Sequence, residues 1–210
     1  MPGGRLITFE GIEGCGKTTQ LRLLARHLEE HGVAVVTTRE PGGTALGERI
    51  RDVLLDPRLA PAAVSELFML EAARSQVVAQ VIAPALEAGK LVLCDRFADS
   101  SVAYQAGARG IDRAIVERLN ALACAGVVPH RTLVFDLEVE LALARARHRL
   151  STTADNRRFE DEAISFHQAV AAAYRDLARR EPYRVVLVDA RGTPEEVQAD
   201  TLAALKDLLP

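Results

Sequence analysis

Between Phe9 and Gln20 the chain reads FEGIEGCGKTTQ. Within it, Gly11, Ile12, Glu13, Gly14, Cys15, Gly16, Lys17 and Thr18 carry the spacing of a loop that cradles phosphates. The glycines let successive backbone N–H groups curl around the anion. Lys17 can reach the β and γ oxygens, and the Thr18 hydroxyl can ligate Mg²⁺. A helix opening at Thr18 adds its positive end. ATP or GTP binding is the chemistry this implies. Where the phosphoryl group goes stays open: to water in a motor or switch, to a small acceptor in a kinase, or nowhere in a binding protein. Glu13 is the odd member. A carboxylate aimed at the triphosphate from ~6 Å costs roughly 2–3 kcal/mol per phosphate charge at an effective dielectric near 20. Glu13 should therefore point toward a second substrate, unless it is a solvated loop residue.

Three other groups could act beside this loop. Arg74 falls among Leu67, Leu70, Val77, Val78 and Val81, in the middle of the apolar face of a helix. Either it snorkels to solvent along its stem, or it is held for a phosphate, which a guanidinium grips with two parallel hydrogen bonds. The run LVLCDRFADSSVAYQ passes from a buried strand into Asp95 and Arg96. An acid ending the third strand of a phosphate-loop protein is placed to hold Mg²⁺, and Arg96 then stands beside the transferred group. Ser100, Ser101, Tyr104 and Gln105 follow with hydroxyls, a ring and an amide suited to a base and a sugar. Finally, residues 141–158 hold five arginines (Arg145, Arg147, Arg149, Arg157 and Arg158) against the single acid Asp155, in a chain of net charge −3. A solvated charged face is the plain explanation. Beside a phosphate loop, the polar break LSTTADN suggests a lid whose arginines close over the phosphoryl group.

The elements that must position these residues follow from the hydrophobic pattern. Near-continuous apolar runs at 5–10, 33–38, 91–95, 131–137 and 183–189 suit strands buried on both faces of a parallel sheet. Helical patterns at 18–31, 62–88, 112–124, 141–149, 161–180 and 194–209 lie between them. The alternation predicts one doubly wound α/β domain over residues 1–210, with a five-stranded parallel sheet flanked by helices and a lid near 141–160. Short βα connections put the chemistry at the carboxyl ends of the strands. Asp136 and Asp189 also end strands, without an adjoining base, and read as structural. With 49% hydrophobic and 26% charged residues the chain suits a soluble globular domain, and neither a basic nucleic-acid binder nor a membrane span is indicated. The start lacks the apolar core of a secretion signal. Three scattered cysteines, Cys15, Cys94 and Cys124, fit a reducing cytoplasm better than a disulfide framework.

Together, FEGIEGCGKTTQ, TREPGGT (Thr38–Thr44), the E-A-A-R ending at Arg74, DRFADSSVAYQ with GARGI after it, and RRFED resemble the thymidylate kinase family of the bacterial type. The resemblance implies a nucleoside monophosphate kinase fold with a lid. It also implies transfer of the γ-phosphoryl of ATP to dTMP with Mg²⁺ at Thr18 and Asp95, and a cytoplasmic homodimer. A kinase for another nucleoside monophosphate or nucleoside, or an ATP-dependent switch, is the alternative. By the same resemblance Arg74 and Arg96 hold the dTMP phosphate, and Ser100 and Gln105 contact thymine. Tyr104 packs near the deoxyribose, Glu40 and Pro41 line the acceptor pocket, and Glu13 lies near the sugar 3′-hydroxyl. Lys17 and Arg96 act in catalysis with the lid arginines Arg145, Arg149 and Arg158. Two positions depart from the family. Leu70 stands where an aromatic ring usually stacks on thymine, a loss of roughly 0.5–1.5 kcal/mol. Phe68 is too far round the helix to replace that ring. His130 stands where Asp usually precedes the fourth strand and reads as a structural variant. Some members carry an arginine at Gly14; with glycine there, the charge must come from the lid.

Overall fold

This computed structural model describes residues 3–150, 158–159 and 162–209, with the side chains of Arg149 and Leu150 outside the described set. Five parallel strands form one sheet in the order β2-β3-β1-β4-β5. They are β1 (Arg5–Glu10), β2 (Val35–Arg39), β3 (Leu91–Asp95), β4 (Arg131–Asp136) and β5 (Val185–Asp189). Strand side chains alternate between two cores. Ile7, Phe9, Leu91 and Leu93 enter the larger core, while Leu6, Val92 and Cys94 enter the smaller one. Both faces being covered by helices, the central strands bury apolar residues on both sides, which is why their sequences run without strict alternation.

The helices are α1 (Lys17–Glu30), α2 (Ala45–Leu55), α3 (Ala63–Val77), α4 (Ala83–Glu87), α5 (Ala98–Ser101), α6 (Arg113–Cys124), α7 (Val139–Leu150), α8 (Ile164–Arg180) and α9 (Pro194–Ala203). Helix α2 is not among the helices expected from periodicity; Thr44 caps it by accepting from the Gly47 N–H. The helix expected over 62–88 is interrupted by a π-helical turn at Val78–Ile82. Pro84 supplies the reason. It has no N–H to give, and its ring crowds the carbonyl four residues back, so the ladder widens just before it. A second π-helical segment, Val102–Ala108, follows α5 and carries Tyr104 and Gln105. The helix expected over 194–209 is regular only to Ala203.

The register concentrates three strand ends. Phe9 of β1 and Arg39 of β2 both pair with Asp95 of β3. The Arg96 N–H then donates to Phe9 O at 3.0 Å, and the Glu40 N–H to Asp95 O at 2.9 Å. The phosphate loop, Glu40 and Arg96 therefore leave the sheet side by side at its carboxyl edge. His130 sits at the opposite edge, where its Nδ1 accepts the Leu6 N–H at 3.2 Å. Its role there is structural.

Candidate active site

A cavity of about 630 Å³ opens at that carboxyl edge. The phosphate loop and Asp95 line one end of it, and Leu70, Arg74, Tyr104 and Gln105 the other. The loop is held from both sides. Lys17 turns its ammonium over the loop, donating to Gly11 O at 3.0 Å and to Ile12 O at 2.7 Å. Gly14 adopts φ 78°, and a Cβ there would lie 1.9 Å from the Ala142 carbonyl oxygen of α7. The helix that leads into the basic stretch thus rests directly on the phosphate loop, and a side chain at position 14 is excluded in this arrangement. Thr18 Oγ1 donates to Asp95 Oδ2 at 2.5 Å. These two hard oxygen donors suit Mg²⁺, which takes most of its shell from water and phosphate oxygens.

Glu13 is not a solvated loop residue. Its Oε1 accepts from Arg96 Nη2 at 2.6 Å and from the Tyr104 hydroxyl at 2.7 Å, and His167 Nδ1 stands 3.4 Å from Oε2. Burial would raise its carboxyl, but Arg96, His167 and Lys17 override that and hold it well below the usual range. Arg96 takes a left-handed backbone at φ 70°, a costly conformation for a residue with a Cβ, and lies over the Tyr104 ring at 4.9 Å. Beneath it, Glu10 at the end of β1 accepts from the Phe97 N–H (2.7 Å), Ser100 Oγ (2.6 Å) and the Tyr174 hydroxyl (2.7 Å). Burial, then the nearby Asp99, pushes the Glu10 carboxyl up to about 7. Ser100 is thereby tied to the floor of the site.

Arg74 does not snorkel: it is 2% exposed. Its Nε donates to Glu40 at 2.8 Å and its Nη1 to Glu71 at 2.6 Å and Asn120 at 2.7 Å, while Nη2 reaches Phe97 O at 3.2 Å. Burial would lower the guanidinium, but the two carboxylates dominate and keep it firmly charged. Glu40 and Glu71 occupy its Nε and Nη1 hydrogens, so what Arg74 can offer the cavity is one directed N–H of Nη2. Pro41 and Leu70 also line the cavity. Phe159 lines it too and meets Tyr104 edge-on at 5.9 Å, whereas Phe68 is 57% exposed on the outside of α3.

The lid arginines separate. Arg145 donates to Ala190 O at 3.1 Å, on α7 next to the phosphate loop. The side chain of Arg149, and Arg157, lie outside the described residues. Arg158 is bonded to Glu66 and to Leu54 O, at the acceptor end.

Several site residues were not singled out by sequence reasoning. Arg51 lines the cavity from α2, donates to Pro41 O at 3.1 Å, and has no carboxylate within ion-pair distance among the described residues. Its signal was present, since Thr44 followed by Leu46, Ile50, Val53 and Leu54 is a capped amphipathic helix. Glu10, Glu66 and His167 are fully buried polar residues inside apolar patterns, and no local spacing marks them.

Comparison with known proteins places this geometry. A model of the family described as "Thymidylate kinase" matches residues 9–201. A thymidylate kinase of Trichlorobacter lovleyi is 50% identical over 194 residues, covering 91% of this chain and 92% of the relative. One from Pelobacter propionicus is 48% identical over 205 residues, covering 95% and 93%. The crystal structure of thymidylate kinase from Ehrlichia chaffeensis superposes with a TM-score of 0.78 at 34% identity, covering 97% of this chain and 99% of that one.

Proposed function

The chain belongs to the thymidylate kinase family, and from that premise we propose how its residues divide the transfer of a phosphoryl group from ATP to dTMP. The activity itself, ATP-dependent conversion of dTMP to dTDP, is what the chain does. The division of labour supports itself on one observation: a single cavity joins the phosphate loop to a second chamber lined by arginines, Tyr104 and Gln105.

In this reading ATP lies on residues 11–18, with Lys17 moving from its own loop carbonyls to the phosphates. Thr18 and Asp95 would hold a Mg²⁺ ion, which would screen the phosphate charge. The dTMP phosphate is met by Arg96 and by Arg51, whose charge no carboxylate among the described residues pairs directly, while Arg74 adds its remaining Nη2 N–H. A dTMP phosphate oxygen attacks the γ-phosphorus and ADP leaves. A phosphate monoester oxygen is already nucleophilic at neutral pH, so no general base is assigned, and catalysis is positioning and charge neutralisation. Tyr104 and Glu13 flank the sugar. Gln105, Ser100, Leu70 and Phe159 surround the base beside Glu40 and Pro41. Arg145, with Arg149 one turn further along α7, serves the transferring group, and Arg158 the acceptor end.

We assign the protein to the cytoplasm, consistent with three free, buried cysteines. No helix among the described residues is long and apolar enough to cross a membrane. A homodimer is supported by an apolar surface on neighbouring helices: Leu46 and Val53 on α2, Val64 and Phe68 on α3, Ile115 and Leu122 on α6, all exposed. Each pair is spaced to share one helix face.

Arg51→Met tests the phosphate assignment. Steady-state kinetics should show the dTMP KM raised about tenfold or more, the worth of one charge-assisted hydrogen bond, with the ATP KM unchanged. An unchanged dTMP KM would remove Arg51 from the site.

A further inference from the structure

Glu66 lies on α3 with no exposure at all. It draws together three side chains from three places. Its Oε1 accepts from Gln105 Nε2 at 2.9 Å and from Arg109 Nε at 3.2 Å, and its Oε2 accepts from Arg158 Nη2. Gln105 is itself 1% exposed and lines the acceptor end of the cavity. Its Oε1 is buried with no hydrogen-bond partner among the described residues.

A terminal amide has two faces of opposite character, and which one meets a ligand is decided by what holds the other. The Glu66 carboxylate can only accept. It therefore takes the NH₂ of Gln105 and leaves the carbonyl oxygen of this cavity-lining residue unpaired. A buried acceptor left without a donor costs about 1–3 kcal/mol, so the cavity is built for a partner that supplies an N–H. Turning the amide over would set Gln105 Oε1 against the Glu66 carboxylate, acceptor against acceptor, and Arg109 and Arg158 hold that carboxylate in place.

We propose that Glu66 is a positioning residue that sets base specificity, fixing the Gln105 amide so that it accepts from the N3–H of a thymine or uracil ring and opposes the unprotonated N3 of cytosine. The inference rests on the reading of Gln105 as a base contact. The selection is made chiefly by repulsion: a cytosine nucleotide would place a lone pair against the Gln105 carbonyl, and the amide cannot turn to suit it. Glu66 never touches the substrate. Because it also bonds Arg158, the residue that orients the base reader is the one to which the basic stretch is tied.

The test compares kcat/KM for dTMP and dCMP in the full-length enzyme. Glu66→Gln replaces a pure acceptor with a group that can turn, so both amides can invert together. The dTMP-to-dCMP ratio should fall about tenfold or more, through a rise for dCMP, with the ATP KM within twofold of wild type. Glu66→Gln leaves Arg109 and Arg158 short of a partner, so the pair Arg158→Met and Glu66→Gln/Arg158→Met runs alongside it, checked by thermal melts. Arg158→Met should keep the wild-type ratio whatever its rate, and the double variant should lose it. Gln105→Leu should abolish the discrimination. If Gln105→Leu collapses the ratio while both Glu66 variants keep it, or lower dTMP and dCMP turnover in parallel, the role given to Glu66 is wrong. If Gln105→Leu leaves the ratio intact, the base contact itself is wrong, and the inference falls with it.

Discussion

At the scale of single residues the site is governed by buried carboxylates and the donors that surround them. Glu10 shows how far burial can move one. Its folded-state carboxyl, pushed up to about 7 from an ordinary 4.5, holds a proton more tightly than in the unfolded chain. Its contribution to stability is therefore complete below pH 4.5 and is lost as pH rises through 7. Glu10→Gln removes the titration. Urea denaturation from pH 4.5 to 8 should show wild type losing up to about 3 kcal/mol relative to the variant, whereas parallel curves would contradict the shift. Glu13 takes the other course, held ionised by Arg96. The motif gave reason to expect Glu13 to turn away from the phosphates, because the Coulomb cost of the alternative can be worked out from the loop alone. That Arg74 would be buried was legible in its helix position. Its two carboxylate partners were not, since Glu71 is an ordinary i−3 neighbour and Glu40 comes from another strand end.

At the scale of elements, the strands and their crossovers could be read because a parallel sheet covered on both faces demands uninterrupted apolar runs. Residues 45–55 were harder, their apolar positions being split between the core at Leu54 and the exposed face at Leu46 and Val53. The two π-helical turns could not be read from periodicity, which assumes one fixed pitch. The seating of α7 on the phosphate loop is a property of close approach between backbones. Gly14 and Gly16 both have positive φ, but only Gly14 faces a backbone atom, with open space around Gly16. Gly14→Ala and Gly16→Ala should share the strain of a left-handed alanine, about 1–2 kcal/mol. Gly14→Ala should cost a further 1–3 kcal/mol or so from overpacking against Ala142. Urea denaturation without nucleotide measures the difference, and equal losses would mean that α7 does not press on the loop.

At the scale of the whole molecule, one edge of one sheet opens into a single cavity running from the phosphate loop to Gln105, and the outer faces of α2, α3 and α6 carry an exposed apolar surface. Phe68 belongs to that surface and not to the base pocket. Phe68→Asp should convert a dimer to a monomer by light scattering and leave the melting behaviour of the isolated fold largely intact. A wild-type monomer, or a variant that keeps the wild-type mass, would contradict the dimer. The central claim is that the second chamber takes a nucleotide monophosphate with a thymine base. ADP release measured across dTMP, dUMP, UMP, dCMP, AMP and thymidine tests it most directly. Turnover should be highest with dTMP and near background with thymidine, which brings the base and sugar but no phosphate for Arg51 and Arg96. Thymidine turned over as well as dTMP, or ADP released at one rate whatever the acceptor, would contradict the account.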